Sequence, residues 1–237
     1  MQDPEIRGRG IFFALFALML VLSVFARENQ GKRWLAADAT PVKTEESEKA
    51  EEVPPRVALT FDDGPHPSYT KKLLDGLKER GVKATFFVVG ENIPGNEEII
   101  RQMAEDGHLI GNHTYDHQDI SRMTTEQACE ELTKTSDLIK EITGQETAYV
   151  RAPFGRWDDS LDCRMSMLAV KWTVDPLDWT TRNVSQIVER VVQKASDNDI
   201  ILLHDYYDSS LKAALQIVDQ LKERGFTFVT VEELLLE

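Results

Sequence analysis

The chain has 237 residues, 41% hydrophobic and 29% charged, enough for one ordinary globular domain and an additional segment. Its formal net charge of −14 excludes a protein that tracks nucleic-acid phosphates with clustered Lys and Arg. Two distant cysteines, Cys129 and Cys163, without C-x-x-C spacing, exclude a zinc knuckle and a disulfide-dense scaffold; one bridge and two free thiols stay equally open.

Arg7 and Arg9 precede an uncharged run from Ile11 to Ala26, which addresses the chain to a membrane. The run has 16 residues, short of the ~20 that a spanning helix needs, and Val24 and Ala26 offer small-residue positions for cleavage. Residues 1–26 are therefore expected to be a signal peptide, with an uncleaved signal anchor as the competing reading. Either one exports the chain, as a secreted protein or one held at the outer face of the cytoplasmic membrane, and only this segment touches lipid. Residues 27–55 carry five basic and seven acidic side chains and few large apolar ones. Such a stretch cannot bury enough apolar surface to offset its ordering entropy, so an acidic disordered linker is expected.

From Arg56 onward, short runs rich in Val, Ile, Phe and Thr alternate with longer amphipathic stretches. "RVALTF" precedes "SYTKKLLDGLKERG", where Leu73, Leu74 and Leu77 fall at helical spacing and Gly81 suits the position just past a helix end. The cycle recurs as "VKATFFVVG" then "NEEIIRQMAEDG", "HLIGNHT" then "TTEQACEELTKTSDLIKEITG", "AYVRAPF" then "DDSLDCRMSMLA", and "VKWTVD" then "SQIVERVVQKAS". "DIILLHD" with "SSLKAALQIVDQLKERG" and a last "FTFVTVEELLLE" complete seven strand-then-helix units. Strands separated by helices pair in parallel, and seven such units closing on themselves make an α/β fold, a distorted seven-stranded (β/α) barrel; an open doubly wound sheet shares the pattern. Reactive side chains collect at strand ends, with Asp62 and Asp63 on the first, His113 on the third, Arg151 on the fourth and His204 on the sixth. Asp175 and Asp178 fall at or just after the fifth. The C-terminal rim of a barrel is where such groups converge.

"HTYDH" sets His113 and His117 four apart, so a helical turn puts both imidazoles on one face. With an aspartate from "TFDDGP", two imidazoles and a carboxylate form a set suited to a catalytic divalent cation. The second aspartate, close by and not ligating, can take a proton from the attacking water. Successive strand side chains point to opposite faces, so the turn at Gly64 and Pro65 must help re-aim the pair. "RAPFG" supplies Arg151 to pair with the non-ligating aspartate. "DPLDW" and "ILLHD" supply Asp178 and His204, a carboxylate-supported imidazole able to protonate a leaving group. Trp157, Tyr206 and Tyr207 are candidates for stacking on a sugar or for packing against the rim.

In order and separation, "TFDDGP", "HTYDH", "RAPFG", "DPLDW" and "LLH" resemble the polysaccharide deacetylases, carbohydrate esterase family 4, whose domain is also called the NodB homology domain. The resemblance spans nearly all of residues 56–237. It implies a distorted (β/α) barrel and metal-dependent removal of acetyl groups from sugars, commonly N-acetylglucosamine in peptidoglycan or chitin. By position it makes Asp62 the general base and assigns Asp63, His113 and His117 to the metal, usually Zn2+, with Co2+ or Ni2+ as alternatives. Arg151 would orient Asp62, the Phe154 backbone N–H would help hold the oxyanion, Asp178 would tune His204 as general acid, and Trp179 and Leu202 would enclose the acetyl methyl. Position 154, often Tyr in the family, is Phe here, which spares a backbone contact and removes a hydroxyl contact to sugar. The expected partner is an acetylated polysaccharide, most of all peptidoglycan. Two rivals use the same residues, an O-acetyl xylan esterase and a non-catalytic glycan-binding protein braced by its metal. Oligomeric state stays open.

Overall fold

The computed structural model describes residues 53–159, 161, 163 and 166–236. The leader and linker expected over residues 1–55 lie outside the described residues except for the last three. Among the described residues seven strands form a single sheet: β1 (Arg56–Asp62), β2 (Thr85–Val88), β3 (Leu109–Asn112), β4 (Tyr149–Val150), β5 (Leu168–Ala169), β6 (Asp199–His204) and β7 (Thr227–Val229). Every strand pairing is parallel, as intervening helices require. The order is β5-β4-β3-β2-β1-β6. β7 pairs with Arg56–Ala58 of β1, while the other half of that edge, Thr60–Asp62, pairs with β2. A parallel bridge from Val174 to Ile201 brings the chain after β5 onto β6 and curls the sheet into the distorted barrel.

Among the described residues six α-helices flank the sheet: α1 (Tyr69–Glu79), α2 (Glu97–Glu105), α3 (Thr125–Thr143), α4 (Val184–Val192), α5 (Asp208–Glu223) and α6 (Val231–Leu236). On α1, Leu73, Leu74 and Leu77 are buried, and Gly81, with φ 62°, ends it as the sequence predicts. On α3, Thr124 accepts from the Gln127 N–H while the Gln127 side chain accepts from the Thr124 N–H, which fixes the helix start.

The period of two along β1 sorts its side chains. Val57, Leu59 and Phe61 pack outward against the helix layer, and Ala58 joins Phe87, Tyr149, Val170 and Ile200 in the barrel interior. Ala58, Thr60 and Asp62 therefore share the inner face, and the two short ones leave room for a long side chain reaching in from β4.

The fifth unit departs from the expectation. Among its described residues, "DDSLDCRMSMLA" forms no helix; its end is β5, where the Leu168 N–H donates to the Ala148 carbonyl and the Val170 N–H to the Val150 carbonyl. "VKWTVD", expected as the fifth strand, instead carries the Val174 bridge to β6. Long-range constraints override local helical spacing here: Cys163 is bonded to Cys129 of α3, which also resolves the open cysteine question as a bridge.

Gly111 of β3 has no room for a side chain, because a Cβ there would lie 2.5 Å from Phe87 Cδ1 and 3.2 Å from the Tyr149 carbonyl oxygen. Gly111→Ala is expected to destabilise the fold by about 1–3 kcal/mol through overpacking. A denaturation midpoint equal to that of the unaltered protein would contradict this packing.

Candidate active site

Asp62 ends β1 facing inward and is buried. Strand geometry would send Asp63 to the opposite face, but its φ of 74° breaks the alternation and turns its carboxylate to the same rim. The Asn92 side chain holds that turn by donating to the Asp63 carbonyl at 2.9 Å. Behind it, a Cβ on Gly64 would come within 2.4 Å of the Asp205 carboxylate, so only glycine fits.

His113 and His117 meet without the expected helical turn. Asn112, anchored to the Leu132 carbonyl and Ser136 Oγ of α3, accepts from the Thr114 N–H, and Thr114 and His117 take positive φ values of 64° and 58°. The loop reverses on itself, and the two rings lie 4.9 Å apart between centroids. His113 Nδ1–H donates to the Arg151 carbonyl at 2.6 Å, which leaves Nε2 to face the paired aspartates. That Nε2 lies 3.5 Å from Asp63 Oδ1, and His117 Nε2 lies 3.2 Å from the same oxygen.

Asp63 Oδ1 is buried and accepts no hydrogen bond. Together with the two imidazole nitrogens it forms a group of ligand atoms all within 4.8 Å of one another. A buried carboxylate oxygen without a donor, facing two imidazole nitrogens, is a fit for a divalent cation, and the nitrogen and oxygen donors suit zinc, cobalt or nickel. Burial disfavours charge on His113, yet the Asp62 and Asp63 carboxylates outweigh it and raise its pKa. A cation bound at Nε2 must displace that proton.

Arg151, fully buried at the end of β4, supports the other aspartate. Its Nη1 donates to Asp62 Oδ1 at 2.8 Å and to Thr60 Oγ1 at 2.7 Å, Nε and Nη2 donate to the Val170 and Lys171 carbonyls, and the guanidinium lies 4.2 Å over the Phe87 ring. One oxygen of Asp62 is thereby occupied. The other, Oδ2, stands 3.8 Å from His113 Nε2, beside the ligand cluster and outside it.

On β6, His204 Nδ1 donates to Asp178 Oδ1 at 2.8 Å, while Asp178 Oδ2 accepts from the His204 backbone N–H and from Ser210 Oγ–H. Burial opposes charging of the ring, but the Asp178 hydrogen bond and the fields of Asp178, Asp62 and Asp63 prevail and push His204 up to about 9. Asp205, next in the chain, is also buried, and burial raises its carboxyl to about 7; Thr70 Oγ1 donates to its Oδ2.

A cleft of about 430 Å³ gathers these groups. Asp62, Asp63, His113, His117, Phe154, Trp179, Leu202 and His204 all line it, and Arg151 and Asp178 stand behind as buried supports. Phe154 has φ 61°, and its N–H makes no hydrogen bond among the described residues. Of the three stacking candidates, Tyr207 lines the cleft, Tyr206 lies outside it, and Trp157 packs beside Ile120, Ala128 and Ala152. Two residues escape the sequence reading: Trp172, whose signal was an aromatic alternating with Val170 and Val174, and Asp205, whose signal was a charge closing an apolar strand.

Residues 49–171 match the family model described as polysaccharide deacetylase. The chain is 40% identical over 178 residues to the peptidoglycan-N-acetylmuramic acid deacetylase PdaC of Bacillus subtilis, covering 75% of this chain and 38% of that protein. It is 34% identical over 203 residues to the peptidoglycan-N-acetylglucosamine deacetylase PgdA of Listeria monocytogenes, covering 86% and 43%. The chain thus spans about two fifths of the length of these curated relatives. The solved structure of Bacillus subtilis PdaC superposes with a TM-score of 0.74 at 39% identity, over 77% of this chain and 90% of that one.

In metal-free protein the His204 imidazolium is expected to titrate near 9, and Asp178→Asn to lower that midpoint because burial then meets less opposition. Since the folded pKa lies above the ordinary 6.5, the pair stabilises the fold fully below that pH and its contribution fades as pH rises through about 9. Ring-proton NMR and denaturation midpoints across this window check both; an unchanged His204 midpoint in Asp178→Asn would overturn the assignment.

Proposed function

Because the chain belongs to the polysaccharide deacetylase family, we propose that it hydrolyses N-acetyl groups of glucosamine-type residues in a cell-wall glycan, peptidoglycan above all. The carrying observation is the division of the paired aspartates. Asp63 joins two imidazoles in a ligand cluster, while Asp62, fixed by Arg151 from behind, presents its free oxygen beside that cluster.

Asp63, His113 and His117 would hold a divalent cation, zinc foremost; when bound, it supplies Lewis acidity toward the acetyl oxygen and makes water more acidic. Asp62 Oδ2 takes the proton of the water that attacks the acetyl carbon. Arg151 keeps that carboxylate in place by occupying Oδ1, so the base loses little freedom on meeting its substrate. The free N–H of Phe154 donates to the developing oxyanion. His204, protonated at neutral pH, gives its proton to the glucosamine nitrogen as the C–N bond breaks, and acetate departs. Trp179, half exposed, and Leu202, buried, border the cleft as walls for the acetyl methyl. A protein that only binds glycan has no use for an unligated base opposite a protonated acid. Export through residues 1–26 would bring the domain to its polymer.

Acetate release from N-acetylglucosamine oligomers, peptidoglycan and acetylated xylan, before and after chelation and on restoring zinc, cobalt or nickel, tests the reading. Activity on the first two and its loss on chelation are expected; release from xylan alone would make the enzyme an O-acetyl esterase. Asp62→Asn is expected to lower kcat about 100-fold or more with cation affinity kept, whereas His113→Ala loses both. Wild-type turnover by Asp62→Asn would sink the role of base.

A further inference from the structure

Tyr207 faces two clefts. Besides lining the catalytic one, it borders a second of about 410 Å³ that the mechanism leaves unused. This cleft lies at the start of α5. Tyr207 holds the position before the helix and contributes no side-chain cap, and the first helical hydrogen bond runs from the Leu211 N–H to the Tyr207 carbonyl. The backbone N–H groups of Asp208, Ser209 and Ser210 therefore have no acceptor among the described residues. They give the helix start its partial positive charge.

An independent feature points to a ligand in the same place. Ser209 is only 6% exposed, lines this cleft, and its buried hydroxyl has no hydrogen-bond partner. Buried hydroxyls are rarely left unsatisfied, and one carried by a residue that lines a cleft points to an acceptor from outside the chain. Two cations border the same space. Arg182 lies 3.8 Å over the Tyr207 ring and uses only Nη1, toward the Trp179 and Thr181 carbonyls, so Nε and Nη2 remain as donors. Lys212 is paired with Asp208 at 2.5 Å, which balances the one acidic group in the cleft and leaves a surplus of positive charge in a chain of net charge −14.

We propose that this second cleft binds a carboxylate borne by the glycan, so that the enzyme reads a charged substituent on the strand it deacetylates. The inference rests on the deacetylase reading and deepens it. Arg182 and the helix start supply several N–H donors to one anion, Ser209 adds a hydroxyl, and charge-assisted bonds of this kind fit a planar carboxylate. The chemistry of peptidoglycan offers that group. A muramic residue is a glucosamine residue carrying an O-linked lactic acid, so the strand presents a lactyl carboxylate where peptide is absent and peptide carboxylates where it is present. Tyr207, shared by both clefts, and Trp179, which lines the first and accepts from Arg182, join the anion site to the acetyl site.

The test compares the full chain with Arg182→Gln and Ser209→Ala on three substrates: neutral N-acetylglucosamine oligomers, peptide-free glycan strands with free lactyl acids, and peptide-bearing strands. KM on a carboxylate-bearing strand is expected to rise about tenfold in Arg182→Gln and less in Ser209→Ala, with KM on the neutral oligomers and kcat throughout unchanged. A shift confined to peptide-free strands assigns the lactyl acid, and one confined to peptide-bearing strands assigns the peptide. An equal shift on the neutral oligomers, or no shift on either charged strand, overturns the proposal. Equilibrium binding of peptide-free and peptide-bearing strands to the same proteins separates it from the deacetylase reading. If the unaltered protein released no acetate from any substrate, that reading would fall, while weaker binding of a charged strand by Arg182→Gln would still support the anion site and equal binding of both would end it.

Discussion

A cation buried inside the barrel organises the rest. Taking a guanidinium out of water costs several kcal/mol, and a fold retains it only where charge and hydrogen bonds offset that cost. Arg151 meets Asp62, Thr60 and the carbonyls of Val170 and Lys171, and lies over Phe87. These partners come from β1, β2 and the chain after β5, so one side chain ties the relative heights of several strands together. Its carbonyl also takes the His113 Nδ1–H, which fixes the orientation of a candidate ligand imidazole. A single residue thus holds Asp62 with its side chain and His113 with its backbone.

Two adjacent aspartates would repel one another if both faced the same water. The fold separates them by partner rather than by distance. Asp62 goes to the guanidinium, and Asp63, turned by its positive φ, goes to the imidazoles. The same device recurs across the cleft, where Asp178 is buried and spends both oxygens on His204 and Ser210. Arg151 and Asp178 stand buried behind the cleft, while Asp62 and His204 line it.

Both clefts contain a polar atom that the folded chain leaves without a hydrogen-bond partner, Asp63 Oδ1 in one and Ser209 Oγ in the other. Asp63 Oδ1 is an acceptor facing two imidazole nitrogens, an arrangement that suits a cation. Ser209 and Arg182 line the cleft at the start of α5 that is proposed to hold an anion.

Local patterns determined much of this protein. Alternating runs of period two and period 3.6 imply parallel strands capped by helices, and the end of each apolar run marks where Asp62, His113, Arg151 and His204 emerge on one rim. Five short motifs name the family because their order and spacing hold through the whole domain. Other features depend on contacts distant in sequence, and these only the tertiary structure decided. The segment between Phe154 and Leu168 has helical spacing yet ends in β5, because a disulfide to α3 and backbone bonds to β4 outweigh local propensity. The positive φ values at Asp63, Thr114 and His117 bring the candidate ligands together, and no periodicity encodes them: Asn92 holds the Asp63 carbonyl from a distant segment, and α3 anchors the Asn112 side chain that holds the Thr114 N–H. The second cleft was hidden for the same reason: Arg182 and Ser209 are 27 positions apart in the sequence, and only folding sets a cation and an unsatisfied hydroxyl on one surface.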